Sequence, residues 1–286
     1  MNQIQLNVIR DVLREKPKEV RLNKTWQRLN EDYGIGKPIN HGLGLKERDY
    51  QLLERLYQQH RKDNILDDLP KGQNRLETVK NHRNEKSTTK DVFADQLVFA
   101  AVHHELPMKS VWLPIGYPSF VPTVEMSELD ITGIKRLVVV ENATMLITLH
   151  QWYQWLPKMW QSSLFVYRGQ GQNQSTVKIL LNQLKDDIPV AIYADFDPFG
   201  LSIVMNYLKI RPVSILVPKG WQKFNKKHDC NQVNKYLDQI SQLTQLSNKL
   251  SQNSCLHNMF MLMQTEKIAI MQENVLFLNQ LEEIEL

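Results

Sequence analysis

The chain has 286 residues, 42% of them hydrophobic, with two cysteines and a formal net charge of +4. That length allows two modest domains without disulfide or metal staples. The composition excludes a disulfide scaffold and a collagen-like or wholly disordered chain, and no run of about 18 apolar residues is present to span a membrane. Two cysteines in no metal or disulfide spacing, and an N-terminus without a continuous apolar core for export, fit the reducing cytoplasm.

The charge is uneven. Residues 1–90 hold 19 Lys/Arg against 13 Asp/Glu, and the remainder holds 16 against 18. A basic first part joined to an acidic second part suits a polyanionic ligand; a solvated, lysine-richer surface is the plainer reading of the same numbers.

In chain order, Ile4, Val8, Ile9, Val12 and Leu13 recur at helical spacing, so residues 3–15 are expected to be an amphipathic helix that Pro17 ends. Gly34, Gly36, Pro38, Gly42 and Gly44 mark residues 23–45 as turns. Tyr50, Leu53, Leu56 and Tyr57 line one face of a second helix over 46–61, and the charged stretch 61–90 reads as a loop or a hairpin wing. Helix, turn, helix and wing outline a small winged-helix-like module. A third helix is expected from Thr88 or Thr89 through Phe93, Leu97, Val98 and Ala101, with His103-His104 as cations at its end. The prolines at 107, 114, 118 and 122 mark a connector with one short strand, 111–113.

From residue 135 the pattern turns regular. Apolar runs at 136–140, 163–167, 189–194 and 213–217 alternate with helical patterns at 143–156, 174–184 and 199–208. Continuous apolar strands alternating with helices indicate βαβ units in a mostly parallel sheet with both faces covered. Residues 231–251 form an amphipathic helix for packing on that sheet or for a dimer, and a further helix from about 256 carries Gln272-Glu273. The expected organisation is a basic, mainly helical region over 1–125 followed by an α/β domain with C-terminal helices over 126–286.

Ligands of such sheets gather at the carboxyl ends of the strands, where the informative residues fall. Leu137-Val-Val-Val140 ends on Glu141. Val190-Ala-Ile-Tyr-Ala194 delivers Asp195 and Asp197 into a Pro/Gly turn. Like charges held close raise one another's pKa, and a divalent cation with oxygen ligands is the simplest relief. Oxygen-only donors favour Mg²⁺ or Mn²⁺ over zinc, and such an ion serves phosphoryl chemistry. Helix capping is the competing explanation for Glu141 and Asp197. It accounts for one acid at each place, but not for two acids one residue apart beside a third. Gly169-Gln-Gly171 follows the strand at 163–167; its backbone N–H groups, with Arg168, can hold a phosphate, or the glycines can serve a plain turn. Glu273 is either a further ligand or part of a solvated helix face.

Glu after one strand, a glycine turn after the next and Asp-x-Asp after the third resemble the Toprim domain of topoisomerases, primases and several nucleases. More narrowly, Val138-Val-Val-Glu141-Asn142, Tyr167-Arg-Gly-Gln-Gly171, Tyr193-Ala-Asp195-Phe-Asp197-Pro-Phe-Gly200-Leu and Ile270-Met-Gln272-Glu273 resemble, in order over 135–275, segments of JetD/MksG-type proteins. The resemblance implies a Toprim fold preceded by a winged helix, and kinship with the topoisomerase VI A subunit. It implies a homodimeric endonuclease subunit of Wadjet-type SMC defence complexes (JetABC or MksBEF-like, with SMC and kleisin partners) that cuts double-stranded plasmid DNA. By position, Glu141, Asp195, Asp197 and Glu273 would bind Mg²⁺ or Mn²⁺. Two other functions stay open: a topoisomerase VI-like transesterase, for which Tyr50 in Arg48-Asp-Tyr50 is the candidate nucleophile, and a non-catalytic DNA-binding or assembly subunit. Tyr50 falls on the apolar face of its helix, which favours water as the nucleophile.

Overall fold

The structure, a computed structural model, describes residues 3–60, 95–169, 172–240, 246–250 and 253–286. The chain divides into two compact units, residues 1–92 and 93–286.

In the first unit, helix α1 (Gln3–Glu15) buries Leu6, Ile9, Val12 and Leu13, as its spacing requires. Strand β1 (Glu19–Arg21) follows Pro17. Residues 24–33 are a helix rather than turns: α2 (Lys24–Tyr33) is capped by Asn23, whose side chain accepts from Thr25 and Trp26 N–H, and it closes on Gly34 in the left-handed region. The glycines beyond belong to a hairpin of β2 (Lys37–Ile39) and β3 (Gly42–Gly44), which with β1 makes an antiparallel sheet ordered β1-β3-β2. Helix α3 (Glu47–His60) packs on α1 through Leu53 and Tyr57. Tyr50 is buried, and its hydroxyl donates to the Pro17 carbonyl. The wing expected over 61–90 lies outside the described residues.

The second unit is built on a seven-stranded sheet, ordered β12-β11-β10-β8-β9-β4-β7. Its strands are β4 (Gln96–Ala100), β7 (Thr123–Glu125), β8 (Leu137–Val140), β9 (Leu164–Tyr167), β10 (Val190–Tyr193), β11 (Ser214–Pro218) and β12 (Leu281–Glu285). A separate hairpin joins β5 (Glu105–Pro107) to β6 (Trp112–Pro114). The four βα-type strands, β11-β10-β8-β9, are mutually parallel, while β12, β4 and β7 join antiparallel. The sheet is therefore mixed, with a parallel centre, and not mostly parallel.

Two expectations are corrected here. Residues 96–100 form strand β4, not a helix: apolar residues four apart fit both periods, and the alternation of buried Leu97 and Phe99 is the strand's. The unit boundary accordingly falls between residues 92 and 93 and not at 125/126, because β4 and β7 pair into the large sheet.

Alternate residues of β8 serve opposite cores. Leu137 and Val139 pack with Leu201, Val204 and Met259 on one face; Val138 and Val140 pack with Leu146, Trp152 and Trp160 on the other. No helix among the described residues is long and apolar enough to cross a membrane.

Candidate functional site

The chain leaves β8 toward β9 on one side, crosses back to β10 on the other, and continues outward to β11. The carboxyl ends of β8 and β10 thus flank the crevice where the connections part, the usual ligand position in an open α/β sheet. Tyr193 stands opposite Val140 in the parallel register, so the residues just beyond them meet. Glu141 N–H donates to the Tyr193 carbonyl at 3.0 Å, and Asp195 N–H donates to Glu141 Oε2 at 3.1 Å. Glu141 and Asp195, 54 residues apart, are brought together as their strand positions required.

Burial pushes the Glu141 carboxyl up to about 7. Neighbouring Asp195 and, less strongly, Asp197 add to the rise; the Asp195 N–H and the Arg168 guanidinium oppose it. Arg168 Nη2 lies 3.9 Å from Glu141 Oε1. Arg168 Nε and the Tyr207 hydroxyl are buried and have no hydrogen-bond partner among the described residues. Tyr207 responds electrostatically to both Arg168 and Glu141, so these donors share one neighbourhood. Gly169 adopts φ +80°, in the left-handed region, which is compatible with either turn reading, and Gly171 lies outside the described residues.

Asp197 has a different role from Asp195. It is 1% exposed, and its Oδ1 accepts from Gly200 N–H at 2.7 Å, capping the helix Pro198–Leu208. Its Oδ2 accepts from Gln239 Nε2 at 2.7 Å. Burial raises its pKa; Gln239, the Gly200 N–H and Lys235 hold the rise back, while Asp195 adds to it. Capping therefore does account for Asp197, whereas the helix after β8 is capped by Asn142, not by Glu141. Gly200 is obligatory: a Cβ there would stand 1.9 Å from the Asp195 carbonyl oxygen, so the Asp195–Asp197 turn closes only over a glycine.

The centre of the site is a cation that no motif announced. Lys235 Nζ lies 2.9 Å from Asp195 Oδ2 and 3.3 Å from Asp197 Oδ2. It and Gln239 are four residues apart on the helix Val233–Ile240, hence on one face, and both reach the Asp-x-Asp turn. Burial works against the Lys235 charge, but the hydrogen bond and charge of Asp195 and the charge of Asp197 outweigh it and raise its pKa. The one available signal was the Lys/Gln spacing on the polar side of a helix read as a packing or dimer element.

Gln272 frames the rest. It sits in a 3-10 turn, Gln272–Asn274, not on a longer helix, because the preceding helix ends at Lys267 in the left-handed region. Its N–H donates to Asp195 Oδ1 (2.8 Å) and its Nε2 to the Tyr193 carbonyl (2.9 Å). Its Oε1 accepts from Asn142 N–H (2.9 Å), and its carbonyl accepts from the Tyr193 hydroxyl (2.9 Å). One buried amide thereby ties the ends of β8 and β10 to the first carboxylate. Glu273 is exposed and accepts from Asn142 Nδ2 at 2.6 Å; it lies at the margin of the cluster.

A family model described as a domain of unknown function, DUF7281, matches residues 94–282. The chain belongs to the DUF7281 family. No curated protein matches it. The DUF7281 match begins just before β4 and ends within β12, so it spans the sheet and every residue of the acidic site.

Among the described residues, no group of three or more His, Cys, Asp and Glu side chains is arranged to hold a metal ion. The donor chemistry fits a hard divalent ion as a pair, not as a triad. Glu141 Oε1, with Arg168 no nearer than 3.9 Å, is the carboxylate oxygen least engaged; Asp195, like Asp197, has both oxygens engaged, Oδ1 by the Gln272 N–H and Oδ2 by Lys235, so an ion shared by Glu141 and Asp195 would take the place of the Lys235 ammonium. Tyr50 belongs to the other unit, its hydroxyl bonded to a backbone carbonyl.

Proposed function

We propose that this chain is a Toprim-type, Mg²⁺- or Mn²⁺-dependent DNA endonuclease, acting as the nuclease subunit of a condensin-like SMC defence complex. The observation that carries this reading is the meeting of Glu141 and Asp195 at the switch point of a parallel sheet centre, where burial and Asp195 push the Glu141 carboxyl up to about 7. A bound divalent ion would supply charge neutralisation at a phosphoryl oxygen and a more acidic water. Glu141 and Asp195 would hold it. Asp197, pinned by Gly200 and Gln239, fixes the turn that aims Asp195. Arg168, with its unpartnered Nε, and the unpartnered Tyr207 hydroxyl offer donors to a phosphate oxygen beside Glu141. Lys235 compensates the charge of Asp195 and Asp197 in the ion's place. The first unit, with three helices, an antiparallel sheet and a β2–β3 hairpin, supports a winged-helix-like DNA holder. Double-stranded plasmid DNA, SMC and kleisin partners, a homodimer and a cytoplasmic setting follow from the same reading.

The test is cleavage of supercoiled plasmid with Mn²⁺ by the parent, by Asp195→Asn, and by Asp195→Ala combined with Asp197→Ala. Circular dichroism establishes that each variant is folded. Both variants are expected to lose cleavage. A folded double variant that cuts as fast as the parent removes the site assignment.

A further inference from the structure

A cavity of about 600 Å³ lies at the opposite edge of the sheet. Lys135 and Arg136 enter it immediately before β8, Ser162 shortly before β9, and His103 and His104 just after β4, which runs antiparallel. Trp112 of the β5–β6 hairpin forms another wall. From Arg136 to Glu141 the strand spans about 17 Å at the usual rise, so this cavity is separate from the acidic cluster and owes nothing to its chemistry.

Its size suits a nucleotide-sized ligand. Its charge suits an anion: neither Lys135 nor Arg136 has a carboxylate partner among the described residues, and Glu105, the acid in the lining, pairs with neither. The Arg136 guanidinium is held in place, with Nη1 donating to the Met159 carbonyl at 2.5 Å and the group 5.8 Å from the Trp160 ring centre. His104 Nδ1 lies 2.5 Å from the Glu105 carbonyl. A carbonyl only accepts, so Nδ1 carries the hydrogen there and Nε2 is the ring nitrogen left for a ligand.

The aromatic wall is built as well. A Cβ at Gly133 would lie 3.1 Å from Trp112 Cζ2 and 2.6 Å from Pro107 Cβ, so the glycine makes room for the indole. Trp112, although seated there, stays 43% exposed, and Tyr117, next after the lining residue Gly116, is 73% exposed. Large aromatic faces left in water beside the held Arg136 guanidinium and the exposed Lys135 match a ligand that joins a flat ring to an anion.

We propose that this cavity binds a nucleotide unit, with its phosphate on Lys135 and Arg136 and its base on Trp112, either as a free nucleotide or as part of a single strand. The experiment measures binding to the full chain by polarisation of a labelled single-stranded oligonucleotide, with unlabelled deoxyadenosine monophosphate and inorganic phosphate as competitors. Trp112→Ala is expected to weaken binding about 5- to 150-fold, the usual loss of one base–aromatic stack. Lys135→Ala, at an exposed position, is expected to weaken it and to flatten the salt slope by about 0.7. An oligonucleotide bound more tightly than the mononucleotide identifies a strand as the source; equal affinities identify a free nucleotide. The proposal is overturned if neither ligand binds, if both variants bind like the parent, or if inorganic phosphate competes as well as the mononucleotide.

Discussion

Lys235→Met tests the electrostatic centre of the acidic site. The substitution keeps the length of the stem and removes the ammonium that lies 2.9 Å from Asp195 and 3.3 Å from Asp197. Breaking a buried pair by deleting one partner costs roughly 3–5 kcal/mol, because the other charge is left uncompensated. Two features lower that figure here. The lysine side chain retains 31% exposure, and both carboxylates keep other donors: Asp195 the Gln272 N–H, and Asp197 the Gln239 amide and Gly200 N–H. About 2–3 kcal/mol is the reasoned loss. At roughly 2–4 °C per kcal/mol for a unit of this size, Tm should fall by about 4–12 °C. The comparison holds at neutral pH. The raised Lys235 value means that its contribution is complete below its ordinary 10.5 and fades only as pH climbs through the higher folded value.

Mn²⁺ supplies the second half of the test. An ion that takes the vacated place stabilises by about 2.7 kcal/mol at a hundred times its Kd. In Lys235→Met, added Mn²⁺ should therefore restore most of the lost Tm, while in the parent, where the ammonium already stands, it should raise Tm less. Differential scanning fluorimetry with and without Mn²⁺ reads both. An unchanged Tm in the variant refutes the energetic role of the pair. A lowered Tm that Mn²⁺ fails to recover refutes the idea that the carboxylates accept a divalent ion in its place.

Gly200→Ala places a Cβ within 1.9 Å of the Asp195 carbonyl, a backbone clash with nowhere to relax, so urea denaturation should show a loss at or above the upper end of the roughly 1–3 kcal/mol typical of overpacking. Glu141→Gln should alter pH dependence in a defined direction. The parent's carboxyl, raised from 4.5 to about 7, favours folding fully below 4.5 and loses that advantage as pH rises toward 7, so the variant should gain about 2–3 kcal/mol on the parent between pH 4.5 and 8; a difference that stays flat over that range refutes the raised value.

The parallel centre of the sheet was readable because β8, β9, β10 and β11 are apolar on both faces, a pattern imposed by helices on either side. Legible strand ends made the meeting of Glu141 and Asp195 legible too, since parallel neighbours end together. What escaped lacked that constraint. β4 escaped because Leu97 and Ala101 satisfy a helical repeat as readily as a strand alternation. β12, Leu281-Glu-Glu-Ile-Glu285, escaped because an edge strand with a wet face needs few apolar residues. Lys235 and Gln239 escaped for a deeper reason: a lysine and a glutamine on a polar helix face look like solvated surface until the fold lays that helix against a carboxylate turn. Asp197 shows the limit from the other side. Proximity in sequence to Asp195 suggested a shared role, yet the strand end turns at Pro198, and one acid faces the crevice while the other is consumed inside it.

The energetics of the site run against stability at nearly every position. A carboxyl held near 7 by burial, an aspartate 1% exposed and a lysine drawn out of water each cost free energy that an apolar cluster of equal volume would not. Gln272 makes the cost deliberate in structural terms: its side-chain amide and its own peptide groups hold β8, β10 and Asp195 in a geometry from which the carboxylates cannot swing apart to relieve their repulsion. A fold selected only to persist would gain by replacing Glu141 with an apolar residue and freeing Gln272. The arrangement makes sense if a ligand completes it, with a positive charge for Glu141 and Asp195 and an anion for Arg168 and Tyr207, whose unpartnered donors stand beside the same acid. On the proposed function, both demands, one cationic and one anionic, would be met together by a metal-bound phosphodiester.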